Sequence, residues 1–325
     1  METKPFTEGN ILRVVTGLHI GGGKDTLKIG GIDTPVIKRT IWANKESGEV
    51  VLGQTEGENI RKLTEPYIPG SSLKGKIRSL LEHYFGLVAK NIELERDPSK
   101  AGKVIDSGFL KKLEPNDLLY KKGALIILLF GESGGNKSKK KSEEENREEI
   151  WLLGRKVQMT RFIFRDCYIT DNLRKEALEE KIELTEEKIE NAIDRVYGTT
   201  SQKGGGLRTI ERVPSGIEFN FDVGVRIFEE DKEKIKKEEN SENEEKNTYQ
   251  DLYFDVLKLG IALLHLDYLG GNGSRGYGQI RIGNYESGKF KPLRLEIENL
   301  NERIQDFLNS IKKPENNDGT KSSKK

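Results

Sequence analysis

The residues that could do chemistry gather in four stretches. The densest is Tyr67-Ile68-Pro69-Gly70-Ser71-Ser72-Leu73-Lys74-Gly75-Lys76-Ile77-Arg78. Pro69 and Gly70 interrupt what precedes, and Ser71 or Ser72 offers an N-cap hydroxyl. Leu73, Ile77, Leu80, Leu81 and Tyr84 then recur at helical spacing. Lys74 and Arg78 stand four apart on a second face. Free N–H groups, the positive end of the helix dipole, hydroxyls and two cations thus converge at one helix start. That chemistry suits an anion, phosphate above all, the plain alternative being a capped helix with solvated lysines. The second stretch, Gly270-Gly271-Asn272-Gly273-Ser274-Arg275-Gly276-Tyr277-Gly278, lets backbone approach a ligand closely beside Arg275, or makes a tight helix-to-strand turn. The third, Gly198 to Phe221, has strand-like ends around a glycine-rich basic tip (Lys203, Gly204, Gly205, Gly206, Arg208), or is an ordinary long hairpin. The fourth holds His19 at the end of a strand and Asp33 in a loop beside Pro35. On the residues alone these read as a packed histidine and an Asx-type turn.

The elements that must position them follow from periodicity. Residues 10–20 are rich in β-branched and apolar types and predict a first strand, ended by Gly21-Gly22-Gly23. Val36-Ile37-Lys38-Arg39 predicts another strand, and 45–65 a hairpin or loop. Ala124 to Phe130 is a short apolar run, a buried strand or helix segment. Residues 157–169 resume strand character, and 174–196 fit one or two short amphipathic helices. The second of these is capped near Thr185, with Ile189, Ala192, Ile193 and Val196 on its apolar face. Thr248 caps a long helix with Leu252, Val256, Leu259, Leu263 and Leu266 in register, and Gln279-Ile280-Arg281-Ile282 follows as a strand. Strand, helix, strands, helix, strand predicts an α+β fold with helices on one face of an antiparallel sheet. The ferredoxin-like pattern fits best.

The 325 residues are 34% hydrophobic and 34% charged, with a net charge of only +1. The whole molecule is therefore no basic nucleic-acid binder, and charge matters locally. A single cysteine, Cys167, excludes an internal disulfide, and three histidines make a Cys/His zinc site improbable. Without an apolar leader at the N-terminus or a run long enough to span a membrane, the expectation is a cytoplasmic protein with no membrane partner. Residues 132–149 and 229–247, the latter with nine acids against five bases, read as flexible charged insertions. The tail 312–325 reads as disordered.

Two motifs mislead. Gly271-x-Gly273-x-x-Gly276 matches the dinucleotide fingerprint, but that site needs a strand before it and a helix after it, and here the order is reversed. Gly70-x-x-x-x-Gly75-Lys76 is one residue short of a nucleotide-binding phosphate loop. Ile77 stands where Ser or Thr should hold magnesium, and the helical spacing already begins at Leu73.

Taken in order, Thr16-Gly17-Leu18-His19-Ile20-Gly21-Gly22, Ile68 to Arg78, Leu207-Arg208-Thr209-Ile210-Glu211-Arg212-Val213-Pro214-Ser215-Gly216 and Gly270 to Gly278 resemble the CRISPR-associated RAMP superfamily. More narrowly, the chain resembles the repeated backbone subunit of type III-A (Csm) interference complexes. The resemblance covers most of 10–90 and 155–290. It implies an RRM-like, ferredoxin-like core over 1–90 and 155–290 with lid and thumb elements inserted, a thumb hairpin at 198–216, and a helical or flexible insertion at 91–154. It implies partners too: a guide (CRISPR) RNA held by its backbone, a complementary target RNA, further copies of the chain and other Csm-complex subunits. His19, Ser71, Ser72, Lys74, Arg78, Arg208, Gly271, Gly273 and Arg275 become the RNA-binding candidates. The family's catalytic aspartate matches Asp33, which would also hold a divalent metal, Mg2+ being expected. A displaced nucleotide can present its own 2′-hydroxyl to the adjacent phosphate, so one carboxylate and a metal suffice for modest rates.

Four functions compete. They are a metal-dependent endoribonuclease subunit, a binding-only filament subunit, a stand-alone RAMP endoribonuclease that processes guide precursors with histidine chemistry, and, remotely, an NTPase.

Overall fold

The computed structural model describes residues 1–22, 34–53, 57–95, 97, 102–132, 151–153, 155–156, 159–200, 206–232 and 248–311. In chain order the elements are β1 (Glu2–Pro5), β2 (Ile11–Val14), β3 (Lys38–Asn44), β4 (Ile60–Pro66), α1 (Gly70–Tyr84), α2 (Leu87–Leu94), α3 (Ser107–Leu110) and α4 (Leu118–Phe130). There follow β5 (Trp151–Leu152), β6 (Arg155–Lys156), β7 (Phe162–Phe164), α5 (Asp171–Leu178), β8 (Glu186–Asn191), β9 (Leu207–Arg212), β10 (Glu218–Asn220) and β11 (Val223–Ile227). The last are α6 (Tyr249–Leu266), β12 (Ile280–Glu286), β13 (Lys289–Pro292) and α7 (Ile297–Ser310).

β2 lies between β10 and β12, with β13 outside β12, and β11 lies between β1 and β7. All these pairings are antiparallel. Phe6 N donates to Val223 O and Phe221 N to Asn10 O, so β1–β2 and β10–β11 run side by side across the break between the two sheets. The order across is therefore β13, β12, β1–β2, β10–β11, β7. In the chain α1 connects β2's side to β7, and α6 connects β11 to β12. Burial alternates along β2, with Leu12 and Val14 inside and Ile11 and Arg13 half-exposed, as a sheet with one covered face requires.

The cover is helical. Leu73, Ile77 and Leu81 of α1 and Val256, Leu257 and Leu259 of α6 are fully buried with Leu12, Ile280 and Ile282. α1 comes close to α6 at Gly260, where a Cβ would stand 2.5 Å from Ile77 Cγ2. Gly260 thus costs helix propensity and allows the close packing. Thr248 caps α6 as expected, its hydroxyl accepting from Asp251 N. The apolar run Ala124–Phe130 resolves to helix, and every residue from Gly123 to Phe130 is buried.

Several expectations need correction. Residues 186–191 are a strand, not a helix: β8 pairs with β9 from Glu186↔Arg212 to Asn191↔Leu207. The supposed apolar helix face is instead outside, with Ile189, Ile193 and Val196 all exposed. β9 consequently pairs backward to β8, not forward to β10, and the hairpin spans 186–212 where 198–216 was expected. The charged segment 229–247 also starts later than its composition suggests. Residues 229–232 form a 3-10 turn whose Asp231 is fully buried, paired with Arg161 and accepting from Tyr253 Oη at 2.9 Å. The remainder of that segment, residues 133–149 of the first insertion, the hairpin-tip residues Lys203 to Gly205 and the tail 312–325 lie outside the described residues. Among the described residues no helix is long and apolar enough to cross a membrane.

Candidate nucleic-acid interface

The start of α1 differs from the serine-capped helix the sequence suggests. Pro69 is the N-cap residue and no side chain caps there. Asp166 Oδ1 accepts from Gly70 N at 2.8 Å, so a carboxylate 96 residues away satisfies one amino-terminal donor. Ser71 is exposed and Ser72 half-buried. Gly75 and Lys76 lie inside the helix, so no phosphate loop forms here.

The two cations of this helix part company. Arg78 turns inward: Nε donates to Glu82 Oε1, Nη1 to Gly131 O and Nη2 to Ile105 O, each at 2.7 Å. Three of its donors are committed inside the fold, in contrast to the RNA contact expected of it. Lys74 is half-buried, and no hydrogen bond or ion pair engages it among the described residues. Burial holds its pKa below the usual lysine value, and repulsion from Arg78 and Arg226 adds to this. Arg226, on β11, is a cation that spacing along α1 cannot reveal; its Nη1 donates to Thr160 O at 2.8 Å. Lys76 bridges to the glycine-rich loop. It pairs with Asp267 at 2.7 Å and stands 4.0 Å over the Tyr268 ring, which in turn covers Gly273.

The loop after α6 wraps the end of the first strand. Gly270 has φ +78°, and a Cβ there would meet His19 O at 2.2 Å. Gly271 N donates to that same His19 O at 2.8 Å. His19 is 9% exposed and its Nδ1 donates to Glu211 O at 2.7 Å. The ring therefore links the strand to β9, and little of it is offered to solvent. Beyond it, Arg275 Nη1 donates to Glu190 Oε2 at 3.0 Å and Tyr277 Oη to Glu190 Oε1 at 2.8 Å. These bonds fasten the loop to β8. Arg208 lies opposite Glu190 in the β8–β9 register and is exposed.

Asp33, with Asp25, falls in residues 23–33, outside the described residues. The flanks of that segment are fixed. Gly21 bridges Val36, Gly22 N donates to Pro35 O at 2.9 Å, and Thr34 bridges Ile210 of β9. Glu211 N donates to Thr34 O at 3.1 Å. The buried Glu211 carboxylate accepts from Val36 N at 3.0 Å and from Lys38 Nζ. The two ends of segment 23–33 thus leave and return side by side at the base of the β8–β9 hairpin. His19, Gly271, Gly273, Arg275 and Arg208 gather around that base, whereas the start of α1, with Ser71, Ser72 and Lys74, lies against β7 and, at Lys74, near Arg226. Among the described residues no group of three or more His, Cys, Asp or Glu could hold a metal ion.

The RAMP superfamily model matches residues 11–281. A Methanocaldococcus jannaschii protein named CRISPR system Cms endoribonuclease Csm3 is 33% identical over 93% of this chain and 92% of its own length. The Streptococcus thermophilus protein of the same name is 31% identical over 85% of this chain and 90% of its own. That of Mycobacterium tuberculosis is 32% identical over 85% of each. On a family match spanning most of the chain and relatives this similar over nearly their whole length, the chain belongs to the RAMP superfamily and, within it, to the Csm3 family of type III-A CRISPR subunits.

Proposed function

We propose that the chain is the guide-RNA-binding backbone subunit of a type III-A interference complex and that it cleaves complementary target RNA at regular intervals, with Asp33 as the catalytic residue. One observation carries this most: the flanks of the segment holding Asp33 are joined to each other through Gly22–Pro35 and to the base of the β8–β9 hairpin through Thr34–Glu211. A nucleotide displaced by that hairpin would be delivered to the flanks of this segment. The relatives' printed name, endoribonuclease, supports the reading.

The strand order β12, β2, β10–β11, β7 with two crossing helices supports a ferredoxin-like core, and the β8–β9 hairpin is its thumb. The exposed Ile193, Val196 and Tyr197 at the hairpin's end give it an apolar wedge to set between bases. Lys74 and Arg226 at the helix start, and Arg208 and Arg275 at the hairpin base, are point charges for the guide backbone and read no sequence. Hard oxygen donors, one carboxylate and the RNA's own phosphate oxygens, suit Mg2+ held at Asp33. That ion would neutralise charge developing on the phosphate.

Histidine-based precursor processing fits less well, because His19 is nearly buried and its Nδ1 is bound to Glu211 O. The test is Asp33→Ala in the assembled complex: lost cleavage with retained guide RNA supports the proposal, and unchanged cleavage assigns the chain a binding role alone.

A further inference from the structure

One face of the hairpin carries three cations against two acids, and one of those carboxylates holds a particular place. Glu186, Lys188 and Glu190 of β8 share a face with Arg208, Ile210 and Arg212 of β9, since directly paired residues point the same way. Arg212 is spoken for by Glu186, Nε to Oε1 at 2.6 Å. Lys188 Nζ lies 4.5 Å and Arg212 Cζ 5.2 Å from the centre of the Tyr277 ring. Arg275 joins from the glycine-rich loop. Lys188 and Arg212 thus flank the Tyr277 ring, and after the Glu186–Arg212 pair a single acid, Glu190, faces Lys188, Arg275 and, across the strands, Arg208. It sits 3.0 Å from Arg275, 3.8 Å from Lys188 and opposite Arg208, and it accepts the Tyr277 hydroxyl.

A carboxylate that accepts from one guanidinium and one hydroxyl in this way has the contacts a nucleotide phosphate would make. We infer that Glu190 occupies a phosphate position: it holds Arg275 and Tyr277 while RNA is absent, locks β8 to the glycine-rich loop, and is displaced by the backbone of a bound single-stranded RNA. This rests on the RNA-binding reading above and adds a residue that opposes binding where all others favour it. Engaging Nη1 of Arg275 must first break a contact within the protein. The hairpin is then released to move when the RNA arrives. The direction of the Glu190 pKa, held below the usual carboxylate value by the Tyr277 hydrogen bond against its own desolvation and helped by Arg275 and Lys188, agrees with a well-seated anion.

The test uses the full-length chain and a fluorescein-labelled single-stranded oligouridine RNA, with anisotropy titrations at several salt concentrations. Glu190→Gln keeps the acceptor for Tyr277 and removes the charge. Glu187→Gln, on the opposite exposed face of the same strand, removes an equal charge with no such contact and is the control. The expected result is tighter binding by Glu190→Gln than by wild type or control, by about three- to fivefold, the worth of a partly exposed ion pair. The salt dependence should steepen by about 0.7 in log–log slope. The gain should vanish in Glu190→Gln/Arg275→Ala. Hydrogen exchange at amides 186–191 should rise on adding RNA to wild type and be high in Glu190→Gln without RNA. Binding by Glu190→Gln equal to the control, or weaker than wild type, overturns the inference while leaving the RNA-binding reading intact. Failure of wild type and every variant to retain the RNA overturns both.

Discussion

Arg78 and Lys74 lie one helical turn apart and should respond to truncation in opposite ways. Arg78→Ala removes one guanidinium that donates to Glu82, Gly131 O and Ile105 O, all at 2.7 Å. Glu82 is 6% exposed, so its carboxylate is left nearly buried without its cation. A hydrogen bond to a charged group is worth about 1.5–3 kcal/mol, and breaking a buried pair costs about 3–5 kcal/mol. The three bonds share one group and do not add, so the loss is about 4 kcal/mol, or roughly 6 °C in melting temperature for a chain of this size. Lys74→Ala removes a half-buried cation with no partner among the described residues, repelled by two arginines. Its melting temperature should stay level or rise. RNA affinity should fall, and the log–log salt slope should shrink by about 0.7. Calorimetry and anisotropy on the two purified variants, the latter well below either melting point, make the comparison. A stable Arg78→Ala that has lost RNA binding as fully as Lys74→Ala would refute the assignment of Arg78 to the core.

Three further outcomes follow from buried groups. His265 Nε2 accepts from Ile282 N at 2.8 Å, and burial, with Arg281 nearby, lowers its pKa from 6.5 to about 4. A depressed folded pKa means this contribution is complete above the unfolded value and is lost as pH falls from 6.5 towards 4. It amounts to about 3 kcal/mol, and a His265→Gln variant should show a flatter pH dependence of its denaturation midpoint over that window. Gly260→Val places a Cβ 2.5 Å from Ile77 Cγ2 and should separate α1 from α6. The expected cost is about 1–3 kcal/mol in chemical denaturation, with Gly260→Ala milder. Asp231→Ala strips Arg161 of its buried partner and Tyr253 of its acceptor. It should destabilise by about 3–5 kcal/mol by the same measurement, more than removing any exposed acid nearby.

Much of the frame is legible in the sequence because its signals are local. The spacing of Leu73, Ile77 and Leu81 marks a helix face that is indeed fully buried, and Thr248 announces the start of α6. The order of elements is enough for an antiparallel α+β fold. What stays hidden depends on partners far along the chain. The spacing of Lys74 and Arg78 says they are neighbours but not that Gly131 and Ile105 offer carbonyls to one of them. The cap of α1 is Asp166, invisible to any rule that looks within a few residues. The hairpin is harder still. Glu186-Glu187-Lys188-Ile189-Glu190 alternates by burial only because one face lies against Tyr277 and Arg275, and its apolar residues are outside, against the usual pattern. Arg226 comes from a strand whose sequence carries no motif; so does Lys188, while Arg212 stands inside the 207–216 stretch without being singled out there. The signal that could have found the last two is the alternation of charge on β8 against β9, readable only once the pairing is known. Helix α7 has no counterpart among the sequence-based expectations. Its amphipathic pattern buries Leu300, Ile304, Phe307 and Leu308, and Arg303 pairs with Asp255 of α6.

The central claim, that this subunit cuts target RNA with Asp33, is tested most directly by cleavage in the reconstituted complex. Wild type and Asp33→Ala are loaded with guide RNA and given a labelled complementary target, with and without Mg2+. The account predicts a ladder of regularly spaced products that requires Mg2+ and disappears in Asp33→Ala while the complex and its guide remain intact. An undiminished ladder from an intact Asp33→Ala complex would contradict it and move the catalytic carboxylate elsewhere.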